Sequence, residues 1–380
     1  MQNMLPRTYD NLDKWLQAGK VVVIYGPRRV GKTTLVNNYL KNVKVKYISD
    51  SGDNITTRKI LSSSDFSRIL PYSDQADLIF LDEAQLIPGV GHGLKIIVDQ
   101  RPEKKIVATG SSSFELSGQV GEPLVGRKWT LTLYPLSQFE LQKLLSPYEL
   151  KQKLPEYLIF GSYPEVITAK NREQKIRVLR EIANSYLFKD LLTFEGIKGS
   201  NFAHNLTKLL AFQIGNEVSL NELAQTLQVN IKTVQRYLDL LEKSFIIKSL
   251  TPFSRNLRDE IKSKKKYYFL DNGIRNAIVS QFNDLDLRND IGALWENFLT
   301  SERLKLQEYA PIYANNYFWR TWEQQEVDWI EEREGKLFGY EFKWSADKKS
   351  KGREIFLETY PEASLKIVSP ENYLEFVNKK

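Results

Sequence analysis

An eight-residue glycine-rich segment constrains this chain more than any other feature. Residues 26–33 read Gly-Pro-Arg-Arg-Val-Gly-Lys-Thr and match the pattern G-x-x-x-x-G-K-[ST]. The segment follows the apolar run Val21–Tyr25 and opens a helical stretch, Thr33–Leu40. A strand, a glycine-rich loop and a helix in this order direct backbone N–H groups and a helix N-terminus at a phosphate. The alternative, a chance match in a glycine-containing turn, does not explain this context.

The loop pattern assigns a role to its polar residues. We expect it to bind ATP, with Lys32 bridging the β- and γ-phosphates and the Thr33 hydroxyl at a Mg²⁺ position. The residues predicted to contact the nucleotide are Gly26, Pro27, Arg28, Arg29, Val30, Gly31, Lys32, Thr33 and Thr34.

A second apolar run, residues 77–83, ends in two carboxylates and resembles a Walker B motif. Asp82 is predicted to hold Mg²⁺ through water, and Glu83 is predicted to polarise the attacking water. A strand that ends in Asp-Glu is common by itself and is usually only solvated. Together with the upstream loop, it indicates nucleotide hydrolysis.

Residues 1–140 alternate short Val/Ile/Leu-rich runs with polar helical stretches, whereas residues 141–215 read as helical. The alternation is typical of a parallel sheet in an α/β layer fold. The predicted strands are Val21–Tyr25, Val45–Ser49, Leu78–Leu81, Ile106–Thr109 and Trp129–Leu133.

Composition narrows the chemistry. The 380-residue chain has no cysteine and two histidines, His92 and His204. Disulfides, thiolate metal sites and cysteine nucleophiles are excluded, and a Ser-His-Asp triad is not expected. Metal chemistry must then use carboxylates, hydroxyls and phosphates, which favour Mg²⁺ or Mn²⁺. The chain shows neither a signal pattern nor an apolar run of roughly 18 residues, so we expect a cytoplasmic protein without a membrane segment.

Two weaker elements resemble AAA+ ATPases. The run Ile106–Thr109 is followed by Gly110 and Ser111, and in that class a polar residue here senses the γ-phosphate. Thr109 or Ser111 is the candidate, and ordinary strand-end capping is the alternative. Arg127 precedes the last predicted core strand and is a candidate arginine finger, which implies a homo-oligomer. A surface arginine in an ion pair is the alternative.

The middle of the chain is its basic part. The net charge of +7 divides into +4 for residues 1–150, +8 for residues 151–270 and −5 for residues 271–380. Ser219 and Glu222 form a predicted capping box, and a second amphipathic helix, Ile231–Lys243, follows a tight turn. With the two later apolar runs, this pattern resembles a winged helix-turn-helix with a basic wing tip that includes Lys266.

This resemblance makes DNA a candidate partner, because side chains of the second helix enter a groove and wing lysines hold phosphates. A protein-binding winged helix and a solvated lysine-rich loop remain alternatives. The residues predicted to contact DNA are Lys232, Thr233, Gln235, Arg236, Lys264 and Lys265.

Two C-terminal runs flank the polar turn Glu331–Lys336 and predict a hairpin. The pattern Asp…Glu-x-Lys resembles the PD-(D/E)XK nuclease core, in which carboxylates hold a divalent metal and the lysine activates water. An upstream predicted helix, residues 292–305, offers another carboxylate. The predicted metal ligands are Glu296, Asp328 and Glu341, with Lys343 beside them. Val327 stands where that family has proline, and alternatives are a surface hairpin or a nuclease-like fold with a silent metal site.

Taken together, the motifs resemble a family of prokaryotic AAA+ ATPases with a C-terminal domain of unknown function. The matching segments are Gly26–Thr33, Leu81–Gln85, Thr109–Ser112, Gly126-Arg127, Tyr134–Ser137, Phe160–Glu165, Tyr268–Gly273, Gly292–Asn297, Glu326–Asp328 and Glu341–Lys343. The resemblance implies an ATPase core in residues 1–140, a helical lid in 141–215, a winged helix in 216–272 and a mixed α/β nuclease-like domain in 273–380.

Three functions follow as hypotheses. The first is a Mg²⁺-dependent ATPase coupled to DNA binding or processing, including branched DNA. The second is a nucleotide-switched ATPase that recruits a protein partner through an inactive nuclease-like domain. The third is a structure-selective DNA nuclease regulated by ATP.

Overall fold

The computed structural model describes residues 5–110, 123–186, 200–254, 264–345 and 351–378. The chain divides into two compact units. The first comprises Met1–Tyr134 and Lys243–Phe245, and the second comprises Pro135–Glu242 and Ile246–Lys380.

The first unit is built on a five-stranded parallel sheet with the order β2-β3-β4-β1-β5, which confirms the predicted sheet. Its strands are β1 (Val21–Tyr25), β2 (Tyr47–Ser51), β3 (Leu78–Asp82), β4 (Lys105–Thr109) and β5 (Lys128–Thr132). Its helices are α1 (Lys32–Leu40), α2 (Ile55–Leu61), α3 (Phe66–Ser73) and α4 (Val90–Gln100), with a 3₁₀ turn at Ala84–Leu86.

Strand β1 lies inside this sheet, between β4 and β5, and all five of its residues are buried. The chain leaves β1 at Gly26, whose φ is 147°. A Cβ atom at Gly26 would overlap the carbonyl oxygen of Leu133, which follows β5. Only glycine therefore lets the loop after β1 pass this closely beside the segment that follows β5.

The second unit contains twelve helices within the described residues. They are α5 (Gln138–Leu141), α6 (Pro147–Gln152), α7 (Leu154–Phe160), α8 (Pro164–Thr168), α9 (Arg172–Glu181), α10 (Ser200–Phe212), α11 (Leu220–Thr226), α12 (Ile231–Lys243), α13 (Asn272–Ile278), α14 (Ile291–Tyr309), α15 (Lys351–Thr359) and α16 (Tyr373–Val377). A π-helical turn, Ile182–Tyr186, follows α9, and a 3₁₀ turn spans Leu285–Leu287. Among the described residues, no helix combines the length and the apolar content that a membrane crossing requires.

A seven-stranded mixed sheet organises the second unit, with the order β12-β11-β10-β9-β7-β8-β6. Its strands are β6 (Glu217–Val218), β7 (Ile247–Pro252), β8 (Lys265–Phe269), β9 (Asn315–Arg320), β10 (Glu326–Arg333), β11 (Lys336–Phe342) and β12 (Ser364–Val368). The antiparallel pair β10–β11 is the C-terminal hairpin that the sequence predicts.

Strand β7 joins the two halves of this sheet. It pairs antiparallel with β8 and parallel with β9, where Thr251 and Pro252 lie opposite Tyr317 and Phe318. The boundary predicted between residues 272 and 273 lies at the start of α13, and strands from both sides of it share this sheet. The helical lid and the four-domain division remain predictions.

A buried ion pair ties α14 to β10. Arg303 donates to Glu331 through Nε at 2.5 Å and through Nη2 at 2.9 Å, and both side chains are buried. The indole N–H of Trp329 also donates to Glu331 Oε1 at 3.0 Å. Burial raises the pKa of Glu331, but the hydrogen bonds and charge of Arg303 outweigh it and lower the pKa below its usual value. Glu331 is therefore ionised and fully paired.

We predict that Glu331→Gln lowers the free energy of unfolding by about 3–5 kcal/mol, because it leaves the Arg303 guanidinium buried without its counter-charge. Urea denaturation measures the change. The control is Glu332→Gln, the half-buried next residue of β10, which should change stability by no more than about 0.5 kcal/mol. Equal unfolding midpoints for the two variants would contradict the prediction.

Candidate functional site

The glycine-rich loop connects β1 to α1 as the sequence predicts. Gly31 is the N-cap of α1 and has a φ of 91°, in the left-handed region that favours glycine. A Cβ atom at Gly31 would meet nothing within 4 Å, so the backbone faces open space at the helix N-terminus. This terminus carries unpaired N–H groups and a positive partial charge, both suited to a phosphate.

Lys32 is buried at the start of α1. Its ammonium donates to the carbonyl oxygens of Gly26 and Pro27, at 2.8 Å each. These bonds hold the Lys32 side chain against the backbone of the glycine-rich loop. The charge of Lys32 is thus held where the loop is expected to receive phosphate oxygens.

Asp82 lies at a junction of three elements. The Thr33 hydroxyl of α1 contacts both oxygens of Asp82, at 3.1 and 2.9 Å, and the Thr109 hydroxyl at the end of β4 donates to Asp82 Oδ1. Thr109 also accepts a hydrogen bond of 3.3 Å from the N–H of Glu83. The structure therefore brings together four residues that the sequence predicts for one site.

Glu83 follows β3 in a left-handed conformation, with a φ of 48°. This conformation is uncommon for a residue with a side chain and turns the chain sharply at the edge of the sheet. The Gln85 amide donates to Glu83 Oε2 and orients the carboxylate. Gln85 was not singled out by sequence reasoning, although it follows the Asp-Glu pair directly.

These residues fit a magnesium nucleotide. Within the described part of the chain, the hydrogen-bond partners of the Asp82 carboxylate are two neutral hydroxyls, so its negative charge has no bonded cation. A carboxylate beside a hydroxyl at a helix N-terminus is the donor set that Mg²⁺ takes when it accompanies a bound phosphate. Thr33 and Asp82 would hold the ion, and Lys32 with the loop N–H groups would hold the phosphates.

Two predicted residues stand apart from this junction. Ser111 lies outside the described residues, so its sensor role stays a prediction. Arg127 precedes β5, and its backbone oxygen accepts from Val21 N–H at the opposite end of β1 from Gly26. Its Nε donates to Asp99 Oδ1 at 2.6 Å, which is the ion pair that the sequence left as an alternative to a finger.

The middle of the second unit contains the two predicted helices, α11 and α12, and the antiparallel pair β7–β8. Ser219 caps α11 by accepting from Glu222 N–H at 3.4 Å. On α12, Lys232, Gln235 and Arg236 are exposed. Thr233 instead bonds to Asn230 through its N–H and its hydroxyl, at 2.8 and 3.0 Å. The Thr233 hydroxyl is therefore engaged in the start of the helix.

A groove of about 580 Å³ separates α12 from the β7–β8 pair. Of the residues predicted to contact DNA, Gln235, Lys264 and Lys265 line it. Asp239 and Glu242 line the same groove, so its charge is mixed.

The C-terminal carboxylates form a cluster that differs from the predicted one. Glu296 of α14 and Asp328 of β10 do lie together, with carboxylate oxygens within 4.8 Å, but the third member is Glu326. Glu341 bonds instead to Lys343, at 2.7 Å. A β-bulge explains part of this arrangement, since Asp328 and Trp329 together oppose only Phe318 of β9. The bulge bends β10 at Asp328.

A buried lysine completes the carboxylate cluster. Lys266 of β8 bonds to Glu296 at 3.0 Å and to Glu326, and Tyr268 donates to Glu296 at 2.6 Å. The prediction that Lys266 belongs to an exposed wing tip is wrong, because strand alternation turns this side chain inward. Burial lowers the pKa of Lys266, but the neighbouring carboxylates outweigh burial and raise it overall.

Asp328 is the least satisfied carboxylate of the cluster. Among the described residues it accepts one hydrogen bond, from Phe342 N–H at 2.6 Å. Burial and the nearby Glu296 raise the pKa of Asp328 to about 8. Sequence reasoning missed Glu326, although its spacing of two residues from Asp328 already placed both on one strand face. Sequence reasoning also missed the role of Lys266, because this residue is the last of three consecutive lysines and nothing in the sequence distinguishes it from the other two.

We predict that Thr33→Val weakens the contribution of Mg²⁺ to ATP binding by about tenfold, because the ion loses a hydroxyl ligand. The ratio of dissociation constants for a fluorescent ATP analogue, measured with Mg²⁺ and with EDTA, reports this contribution. Thr130→Val, at an exposed position of β5, is the matched control. An unchanged ratio in Thr33→Val would refute the proposed ligand.

Comparison with protein families agrees with the geometry of the first site. Residues 18–142 match a family described as AAA domain, and this segment contains the loop, Asp82, Glu83 and Thr109. Residues 151–286 match a domain of unknown function (DUF8612), and residues 291–376 match another (DUF4143).

Curated relatives extend over most of the chain. An uncharacterized protein of Mycobacterium tuberculosis is 28% identical over 338 residues, which cover 87% of this chain and 72% of the relative. One from Haemophilus influenzae is 26% identical and covers 69% of this chain and 70% of its own length. The solved structure of the replication initiator DnaA bound to AMPPCP and single-stranded DNA covers 62% of this chain and 86% of its own, at 17% identity and a TM-score of 0.32. Residues 18–142 are therefore similar to AAA domains both in sequence and in the P-loop geometry of the first site.

Proposed function

We propose that this chain is a Mg²⁺-dependent ATPase whose turnover is coupled to DNA binding or processing. The observation that carries the proposal is the junction of Thr33, Asp82 and Thr109 beside Glu83, at the N-terminus of α1. It supports the proposal because the candidate metal ligands, the glycine-rich loop and the candidate base lie at one edge of the sheet. Hydrolysis needs all three at one place.

Each residue has a distinct task in this proposal. Lys32 exchanges its bonds with Gly26 and Pro27 for bonds with phosphate oxygens. Glu83 accepts a proton from the attacking water and is oriented by Gln85. Bound Mg²⁺ supplies Lewis acidity and neutralises phosphate charge. Thr109 fixes the position of the Asp82 carboxylate relative to the backbone of Glu83, because its hydroxyl bonds to both.

Arg127 supports an oligomeric ATPase in this proposal. It lies at the far end of β1 from the loop, about 16 Å away along a five-residue strand. An arginine at that edge is remote from its own nucleotide and suited to the nucleotide of a neighbouring copy. To act there it must exchange its ion pair with Asp99 for phosphate oxygens.

The DNA part of the proposal rests on the middle of the chain. Lys232, Gln235 and Arg236 are exposed along α12, Lys264 is exposed, and Lys265 is half-buried. A helix with exposed basic and amide side chains can contact both phosphates and base edges. Thr233 is removed from the predicted set, since its hydroxyl supports the helix start. Lys266, which the sequence assigned to the wing tip, is buried and offers no contact to DNA in this proposal.

A second candidate function is an ATPase that recruits a protein through its C-terminal unit. The mixed charge of the groove beside α12 favours it, because Asp239 and Glu242 repel phosphates there. The buried ion pairs of Lys266 also favour it over the metal-dependent nuclease that the sequence raised as a third hypothesis.

We predict that Lys32→Ala lowers ATP affinity by at least about tenfold, because it removes the charge that faces the phosphates. Glu83→Gln should bind ATP normally and hydrolyse it at least about a hundredfold more slowly, because the amide cannot accept the proton. Equilibrium binding and phosphate release measure the two effects. Full hydrolysis by Glu83→Gln would eliminate Glu83 as the base.

We predict that DNA stimulates ATP hydrolysis and that the double variant Lys232→Gln, Lys264→Gln binds DNA about threefold to tenfold more weakly near 0.1 M salt, with a shallower salt dependence. Fluorescence anisotropy with single-stranded, duplex and branched DNA measures binding, and phosphate release measures stimulation. The double variant Lys336→Gln, Lys366→Gln, at exposed positions of β11 and β12, is the charge-matched control. ATPase rates that stay constant across all three DNA forms would favour the protein-recruiting function.

A further inference from the structure

The side chain of Lys266 ends inside the cluster formed by Glu296, Glu326 and Asp328. Lys266 is only 1% exposed, and its ammonium bonds to Glu296 Oε1 at 3.0 Å and to Glu326 Oε1. One oxygen from each of the three carboxylates lies within 4.8 Å of the other two, so their negative charges repel unless a cation or a proton compensates them. The ammonium of Lys266 is a cation at that place.

We propose that Lys266 is the resident cation of this cluster and replaces the divalent metal ion that the nuclease-like sequence pattern implies. The C-terminal site is thus complete without metal. This inference does not depend on ATP hydrolysis by the first unit or on DNA binding through α12 and β8.

The position of Lys266 is fixed by the sheet. Strand β8 lies between β6 and β7, and Lys266 pairs with Glu217 on one side and Leu250 on the other. Tyr268, two residues further along the same face, donates to Glu296 Oε1 at 2.6 Å. The backbone therefore cannot carry the ammonium away from the carboxylates without breaking strand pairing on both edges.

Lys266 already bonds to carboxylate oxygens that a metal ion could use. Divalent ions bind carboxylate oxygens at about 2.0–2.6 Å, and Lys266 already uses one oxygen of Glu296 and one of Glu326. An ion at the same oxygens would lie against the ammonium and be repelled by it. The ring of Phe318, centred 5.2 Å from the ammonium, lines another side of the lysine.

The neighbouring charges are paired in the same way. Lys343 bonds to Glu341 at 2.7 Å, and Arg320 lies 3.7 Å from Glu326 and 3.1 Å from Glu217. Side-chain cations of the chain itself therefore lie beside Glu217, Glu326 and Glu341. In the proposal, these pairs take the place of metal coordination.

Manganese binding to the full chain tests the proposal. All proteins carry Asp82→Asn, so that the nucleotide site contributes no ion, and Mn²⁺ is titrated without nucleotide by electron paramagnetic resonance. The parent protein, which carries Asp82→Asn alone, should show no saturable Mn²⁺ site with a dissociation constant below about 1 mM. Lys266→Met should create one site at least about tenfold tighter, because it removes the competing charge and leaves the carboxylates free.

Two further variants sharpen this result. Glu296→Gln added to Lys266→Met should abolish the new site. Lys343→Met, which leaves Lys266 in place, should create none and is the matched control. A parent that binds one Mn²⁺ ion lost on Glu296→Gln would overturn the proposal, as would a folded Lys266→Met protein that gains no site.

Thermal unfolding decides the question if Lys266→Met does not fold. The melting temperature of the parent should be equal in EDTA and in Mn²⁺. Glu326→Gln should lower the melting temperature by the same amount in EDTA and in Mn²⁺, because the interaction it removes is an ion pair with Lys266 and not with a metal ion. Stabilisation of the parent by Mn²⁺ that disappears in Glu326→Gln would identify a metal as the native cation and overturn the proposal.

Discussion

The parallel register of the first sheet is the constraint on which the nucleotide site depends. Ile24 lies opposite Thr109 and Leu81 lies opposite Ala108, so β1, β3 and β4 end at one edge. Since β4 separates the other two strands, its terminal hydroxyl reaches Asp82 from the centre of the sheet. A slip of one residue would turn Thr109 to the opposite face and separate the metal ligands from the loop.

The sequence predicts the residues of this site from local signals. The loop requires glycine at positions of positive φ, and an apolar strand ending in Asp-Glu marks the facing edge. What local pattern cannot supply is the pairing between distant strands. The parallel contact of β7 with β9 joins segments more than sixty residues apart, so strands on both sides of the boundary predicted at residues 272 and 273 share one sheet.

The C-terminal cluster shows the same limit at the level of single residues. Alternation along a strand already places Glu326 and Asp328 on one face, whereas the choice of Glu341 came from a family pattern. The bulge at Asp328 and Trp329 and the packing of α14 decide which carboxylates meet. Neither the bulge nor the helix packing can be predicted from the local sequence, since both depend on which strand and helix pack against β10.

Buried pairing also changes how the basic middle of the chain is interpreted. Three consecutive lysines, Lys264 to Lys266, are equivalent in sequence, but the first is exposed, the second is half-buried and the third is enclosed by carboxylates. Lys248 pairs with Glu242 in the same region. A local excess of +8 therefore overstates the charge offered to phosphates, because part of it neutralises acidic groups of the chain itself. A nucleic-acid interface here rests on the few cations that α12 and the end of β8 leave exposed.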